Sequence, residues 1–341
     1  MFINYIISHV ADHKNWPHWA LYVDSYKSGD HVNPAVTQSP ARHWTRPQIA
    51  VPPDACDCHV HVFEDPAVFS FSAGRLYTPG LATSRDLVEL LDAIGVRRAV
   101  IVQPTPYGAD NRCLVDALDR LAGRARGVVV LETPVTDQKL SALHMAGVRG
   151  IRVNLETSGA NDPKAAARDI SAAAVTADKM GWHVQIYASL AMIAALHDIV
   201  LDLPVPLVID HFGRAQAKGG ISQPGFDALL SLVTSGKIYV KLSAPYRISE
   251  DANYSDVDEI ANRLITANSD RMLWGSDWPH PFPQAGIPRS PLGIEPYKVE
   301  DDGKALDRLM RWARTPDIAR KILVDNPERL YIFQQAENAD A

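Results

Sequence analysis

His59 and His61 stand two residues apart in Asp57-Cys58-His59-Val60-His61. On an extended strand that spacing turns both imidazoles to one face, with Cys58, Val60 and Val62 on the other. Two further stretches offer matching chemistry. Pro206-Leu207-Val208-Ile209-Asp210-His211 runs an apolar segment into an acid and a histidine, and Met272-Leu273-Trp274-Gly275-Ser276-Asp277-Trp278-Pro279-His280-Pro281 does the same with Asp277 and His280. His59, His61, His211 and Asp277 make a set of three nitrogens and one oxygen. That set suits Zn2+ or another divalent ion with room for a water. Such an ion would ease formation of hydroxide by about 12 kcal/mol. Without one, Asp277 must take the proton of water as a general base in the transition state. The sequence leaves both arrangements open.

Arginines and hydroxyls supply candidate substrate contacts. Arg152 lies inside an apolar run, where an unpaired charge is costly, so it needs an anion, either a structural carboxylate or a substrate. Arg247, in Ala244-Pro245-Tyr246-Arg247, is placed to clamp a carboxylate or sulfonate, and Arg214 follows His211 by three residues. Tyr77, Thr105 and Tyr187 are candidate donors to substrate oxygens. His183, inside a strand-like run, reads as structural.

These residues need a scaffold that brings distant segments together. Short β-branched runs at 56–62, 98–103, 127–132, 149–154, 182–187, 206–211, 238–243 and 272–277 alternate with stretches of helical period such as Leu87, Leu90, Leu91 and Ile94, or Phe226, Leu229, Leu230 and Val233. Gly95, Gly147, Gly181 and Gly236 are placed as helix C-caps. Eight continuous apolar strands, each followed by a helix, predict an α/β fold of the (β/α)8 TIM-barrel type, with a doubly wound open sheet as the alternative. No glycine-rich dinucleotide loop follows any strand, which disfavours the open sheet. In such a barrel the active site lies at the C-terminal ends of the strands, where the polar residues named above fall.

Residues 1–50 read differently. Trp16, His18, Trp19, Tyr22, Tyr26, His43 and Trp44 sit among Pro, Ser, Asp and Lys without a period, so an irregular aromatic-rich extension is expected, with a short helix near 16–25. Its tryptophans would anchor it on the barrel of residues 51–341 or on a neighbouring subunit, which allows a homo-oligomer.

Composition narrows the partners. Lys plus Arg number 34 against Asp plus Glu 40, a net charge of −6, so no basic surplus points to nucleic acid or an anionic membrane. Three cysteines, Cys56, Cys58 and Cys113, form no even framework and no Cys-x-x-Cys, and read as buried thiols of a cytoplasmic protein. The N-terminal apolar run lacks a basic flank and is interrupted by His9 and Asp12, unlike a signal peptide, and no run of 18 apolar residues suggests a membrane span.

His59-Val60-His61, Val208-Ile209-Asp210-His211-Phe212-Gly213-Arg214 and Trp274-Gly275-Ser276-Asp277-Trp278-Pro279-His280-Pro281, falling in order on strands one, six and eight, resemble the amidohydrolase superfamily. The branch they resemble is that of the 2-pyrone-4,6-dicarboxylate and sulfomuconolactone hydrolases. Val100-Ile101-Val102-Gln103, Gly150-Ile151-Arg152, Gly181-Trp182-His183-Val184 and Asn326-Pro327-Glu328-Arg329-Leu330-Tyr331 fit the same branch, so the likeness spans about residues 54–333. The resemblance implies a barrel that opens the ring of a small anionic lactone in bacterial aromatic degradation. It implies Asp277 as base for water, and His59, His61 and His211 polarising the carbonyl directly or through one divalent ion. Metal-dependent members carry a bridging lysine or glutamate on strand four and a histidine on strand five; here Asn154 and Tyr187 stand there, which speaks against a binuclear centre. The pyrone dicarboxylate enzymes carry a basic pair after strand four, where this chain has Leu155-Glu156-Thr157-Ser158-Gly159. The resemblance therefore favours a sulfo- or carboxy-substituted muconolactone, such as 4-sulfomuconolactone giving maleylacetate. The alternatives are 2-pyrone-4,6-dicarboxylate, a decarboxylase acting on an aromatic acid, and a non-catalytic binding barrel.

Overall fold

The computed structural model describes residues 40, 42, 44–157, 159, 161–284 and 286–333. The short helix expected near 16–25 and its tryptophans lie outside them. Eight parallel strands form one sheet in chain order: β1 (Cys56–Val60), β2 (Arg98–Val102), β3 (Ala125–Val129), β4 (Val148–Asn154), β5 (His183–Tyr187), β6 (Leu207–Ile209), β7 (Ile238–Ser243) and β8 (Met272–Gly275). The sheet closes on itself through a parallel bridge between Val60 and Trp278, with Asp277 N–H donating to the His59 carbonyl at 2.9 Å and His61 N–H to the Trp278 carbonyl at 2.8 Å. The open sheet is thereby excluded.

Helices follow the strands: α1 (Ser84–Ile94), α2 (Arg112–Arg120), α3 (Asp137–Met145), α4 (Pro163–Met180), α5 (Leu190–Ala195), α6 (His197–Asp202), α7 (Phe226–Ser235), α8 (Asp258–Ala267) and α9 (Asp302–Ala313). Their buried stripes match the sequence periods, with one change on α7, where Leu232 rather than Leu230 is buried. Gly95, Gly147, Gly181 and Gly236 all have positive φ, as the cap role requires. The stretch 44–50 is tied to α9: the Thr45 N–H and hydroxyl both bond Asp301, the N-cap of that helix, and the Gln48 N–H bonds Asp307. No helix among the described residues is long and apolar enough to cross a membrane.

Several strand limits differ from the sequence pattern. β3 begins at Ala125, two residues before the expected 127, and ends at Val129, because the apolar run Val130-Leu131 continues past the last ladder bond. β1, β6 and β8 stop before His61, Asp210-His211 and Ser276-Asp277. The polar residues expected to end these strands turn out of the ladder just above it. A register shift between Asp57 and Val60 also breaks the alternation expected for β1. Cys56 and Cys58 consequently join an inner cluster with Val100, Val102, Val128, Val208, Tyr239 and Leu273, whereas Val60 and Val62 face the surrounding helices.

Above that inner cluster the barrel interior is polar. Gly150 on β4 pairs with His183 on β5, whose buried ring leaves no room for a side chain there: a Cβ at 150 would lie 2.4 Å from the imidazole. Burial holds this imidazole neutral, with its pKa lowered to about 3. His183 is thus a packing element, well below the mouth.

Candidate active site

The turns after β1, β6 and β8 bring His59, His61, His211 and Asp277 together. The Nε2 atoms of His59, His61 and His211 lie 3.5, 3.4 and 4.0 Å from Asp277 Oδ1. Asp277 and His211 adopt left-handed backbone, with φ of 66° and 49°, the local turn that lifts each side chain off its strand and over the barrel axis. Close approach at the seam depends on a glycine. A Cβ on Gly275 would fall 2.7 Å from the His59 Cβ and 2.9 Å from its backbone nitrogen. Gly275→Ala is therefore expected to push His59 out of line, lowering kcat/KM at least tenfold while costing about 1–3 kcal/mol of stability. Parallel thermal melts and steady-state kinetics measure both, and unchanged turnover would show that the contact has no role in placing His59.

Each acid and imidazole is held by partners. Asp277 Oδ2 accepts from the Tyr246 hydroxyl at 2.7 Å and from Arg247 Nε and Nη2 at 2.9 and 2.6 Å, which leaves Oδ1 turned to the histidines. Burial alone would raise the carboxyl pKa of Asp277. The Arg247 guanidinium and the surrounding imidazoles outweigh it and hold the group well below the usual carboxylate range. His61 Nδ1 donates to the Val102 carbonyl at 2.7 Å, which turns its Nε2 to Asp277 Oδ1 at 3.4 Å. His211 Nδ1 lies 2.8 Å from the Ser243 hydroxyl. Burial keeps His211 neutral, and burial together with Lys241 lowers His59 to about 3.

Beneath His59 lies a polar layer. Asp210 Oδ1 and the Lys241 ammonium approach its Nδ1 at 3.3 and 3.2 Å. Lys241 also donates to Gln185 at 2.8 Å, and Gln185 to Asp210 at 3.2 Å. Asp57 Oδ1 accepts the N–H groups of His59 and Ser276, stapling β1 to β8, and burial raises its pKa to about 7.

The remaining sequence candidates divide into those near the mouth and one below it. Arg152 points inward, donating to the Gln103 carbonyl at 2.8 Å with Asp210 at 3.8 Å, so its counter-anion here belongs to the protein. Tyr187 packs edge-on against His211, and the Arg214 and Arg247 guanidiniums lie 5.7 and 5.8 Å from its ring centre. Arg214 donates to the Arg247 carbonyl and to Glu156 at 3.3 Å. Tyr77 is buried near Thr105, within electrostatic reach of Arg247. Asn154 bonds Thr157 in its own loop and offers nothing to the histidines. His280 pairs with Asp302 behind Tyr246.

The site can hold one cation. His59, His61 and Asp277 each bring a ligand atom within 4.8 Å of the others, and His59 Nε2 and Asp277 Oδ1 are buried without a hydrogen-bond partner among the described residues. The His61 Nε2 facing a carboxylate oxygen at 3.4 Å calls for a proton or a metal between them. The donor set fits a divalent ion.

A closed eight-stranded barrel with imidazoles and an aspartate at the C-terminal ends of its strands is the architecture of a hydrolytic TIM-barrel enzyme. The chain belongs to the amidohydrolase family, whose sequence profile matches residues 56–333. It is 36% identical over 298 residues, covering 84% of this chain and 93% of the relative, to the 2-pyrone-4,6-dicarboxylate hydrolase of Comamonas testosteroni. It is 34% identical over 300 residues, covering 86% and 95%, to the 4-sulfomuconolactone hydrolase of Rhizobium radiobacter. A provisionally named 2-pyrone-4,6-dicarboxylic acid hydrolase of Pseudomonas putida superposes with a TM-score of 0.70 at 30% identity, covering 84% of this chain and all of that one.

Proposed function

We propose that this enzyme adds water to the carbonyl of a small anionic lactone and opens its ring, with a sulfo- or carboxy-substituted muconolactone as first substrate and 2-pyrone-4,6-dicarboxylate as second. The observation that carries this reading is the division of labour on Asp277: one oxygen is saturated by Arg247 and Tyr246, while the other faces three imidazoles. A carboxylate held ionised in this way is poised to take a proton from water. Water attacks the carbonyl carbon as Asp277 Oδ1 removes its proton. The C–O ring bond breaks, and the proton returns to the departing ring oxygen. His61, His211 and His59 surround the oxygen that becomes negative in the transition state.

A divalent ion held by His59, His61 and Asp277, zinc being the first candidate, would supply Lewis-acid polarisation and a more acidic water. Tyr77, Thr105 and Tyr187 donate to substrate oxygens, and Arg247 and Arg214 face its anionic groups. Glu156 stands on the loop after β4 where the pyrone dicarboxylate enzymes carry a basic pair, which supports a substrate other than the pyrone. The free, buried state of Cys56, Cys58 and Cys113 supports a reducing compartment, the cytoplasm.

The test is hydrolysis of 4-sulfomuconolactone, a carboxy-substituted muconolactone and 2-pyrone-4,6-dicarboxylate, before and after chelation, with metal content measured on each sample. Ring opening of at least one is expected. Failure on every anionic lactone would sink the reading. Loss of turnover in step with loss of one bound ion would assign the histidines to metal binding, and undiminished turnover without metal would assign the chemistry to Asp277 and the imidazoles alone.

A further inference from the structure

Three arginines on the loops that follow β6, β7 and β8 each already carry an acid. Arg247 is bonded to Asp277, Arg214 to Glu156, and Arg289 Nη2 to Glu295 at 2.7 Å. Arg247 serves the base. Arg289 comes from the loop after β8, a stretch without period or motif, yet its guanidinium lies 4.2 Å from the ring centre of Tyr77. Its buried Nε has no acceptor among the described residues, so one donor is unspent. This loop is sewn to the one after β1. Ile294–Glu295 pairs with Thr78–Pro79 as a short parallel ladder, the Thr78 hydroxyl donates to the Pro291 carbonyl at 2.7 Å, and the Tyr297 hydroxyl to the Gly80 carbonyl at 2.6 Å. Glu295 lies within electrostatic reach of both Arg289 and Arg247, and burial raises its pKa despite them. A carboxylate so placed is an internal anion that an incoming one can replace.

We propose that Arg289 is a specificity-determining residue that receives the substrate's second anionic substituent, a carboxylate or sulfonate, against Tyr77, with Glu295 holding its place in the free enzyme. This rests on the lactone reading. Arg289→Met and Arg289→Lys should be compared with wild type on 2-pyrone-4,6-dicarboxylate and on 2-pyrone-6-carboxylate and 2-pyrone-4-carboxylate, which each lack one anionic group. The expected result is a KM raised ten- to fiftyfold for the dianion in Arg289→Met, with kcat within about threefold, partial rescue in Arg289→Lys, and little change on at least one monoanion. Equal losses on all three pyrones, or none on the dianion, would overturn the assignment. Calorimetric titration with unreactive benzene-1,3-dicarboxylate and with benzoate separates this proposal from the lactone reading. Wild type should prefer the dianion and Arg289→Met should lose that preference even if no lactone is turned over. A wild type without the preference, or a variant that keeps it, would also overturn the proposal.

Discussion

Asp277→Asn should lower kcat on any lactone the enzyme opens by about a thousandfold or more, with KM changed only a few-fold. A positioned general base contributes up to about 10⁴ in rate, and the amide cannot accept the proton. Substrate binding relies on other groups, so the loss should fall on kcat rather than KM. Asparagine suits the test because it occupies nearly the same volume and tolerates the left-handed φ of 66° at this position. Its oxygen can still accept from Arg247 and Tyr246. Single-turnover measurements would locate the defect in chemistry, and wild-type turnover in this variant would mean that another group, or a metal-bound water alone, does the work.

Arg247→Met should produce the second largest effect, and one with a pH signature. In the wild type, burial would raise the Asp277 pKa, and Arg247 is the leading influence that overrides it. The carboxylate therefore stays ionised throughout the neutral and mildly acidic range, and kcat/KM should show no acid limb from Asp277 down to about pH 5. Removing the guanidinium leaves burial unopposed by its main counterweight. The base then holds a proton near neutrality, turnover at pH 7 falls about a hundredfold, and activity recovers as pH rises. Breaking one partner from a buried pair also costs about 3–5 kcal/mol, so a thermal melt must accompany the profile. A variant that is folded and impaired equally at every pH would show that Arg247 acts on substrate alone.

The parts of this site legible in the sequence are those carried by strong local patterns. His59 and His61 could be paired from strand geometry, and Asp277 and His211 stand where apolar runs end in polar residues. Tyr246 was hidden beside Arg247, because nothing in Ala-Pro-Tyr-Arg says which side chain reaches back to β8. Lys241 and Gln185 sit within apolar runs that carry no sign of their role. A lysine at the centre of Ile-Tyr-Val-Lys-Leu-Ser was the available signal, but only closure of the barrel puts its ammonium under His59. Arg152 shows the limit of reading a charge alone: its need for an anion was legible, whereas the anion's identity, Asp210, depends on how β4 and β6 face each other inside the ring. The limits of β3 differ from the apolar run because hydrophobicity marks burial, and Val130 and Leu131 are apolar beyond the last ladder bond.

The left-handed turn at Asp277 also limits which sequences this enzyme can drift through. Most side chains lose about 1–2 kcal/mol in that conformation, and aspartate, asparagine and glycine are the residues that visit it most readily. Of those three only aspartate carries a carboxylate. Replacement by glutamate, a routine exchange of one acid for another elsewhere on a protein, would here strain the backbone and also lengthen the arm that Arg247 and Tyr246 grip. The backbone thus biases inheritance, and a lineage that keeps this turn and needs an acid on it finds in aspartate the less strained of the two.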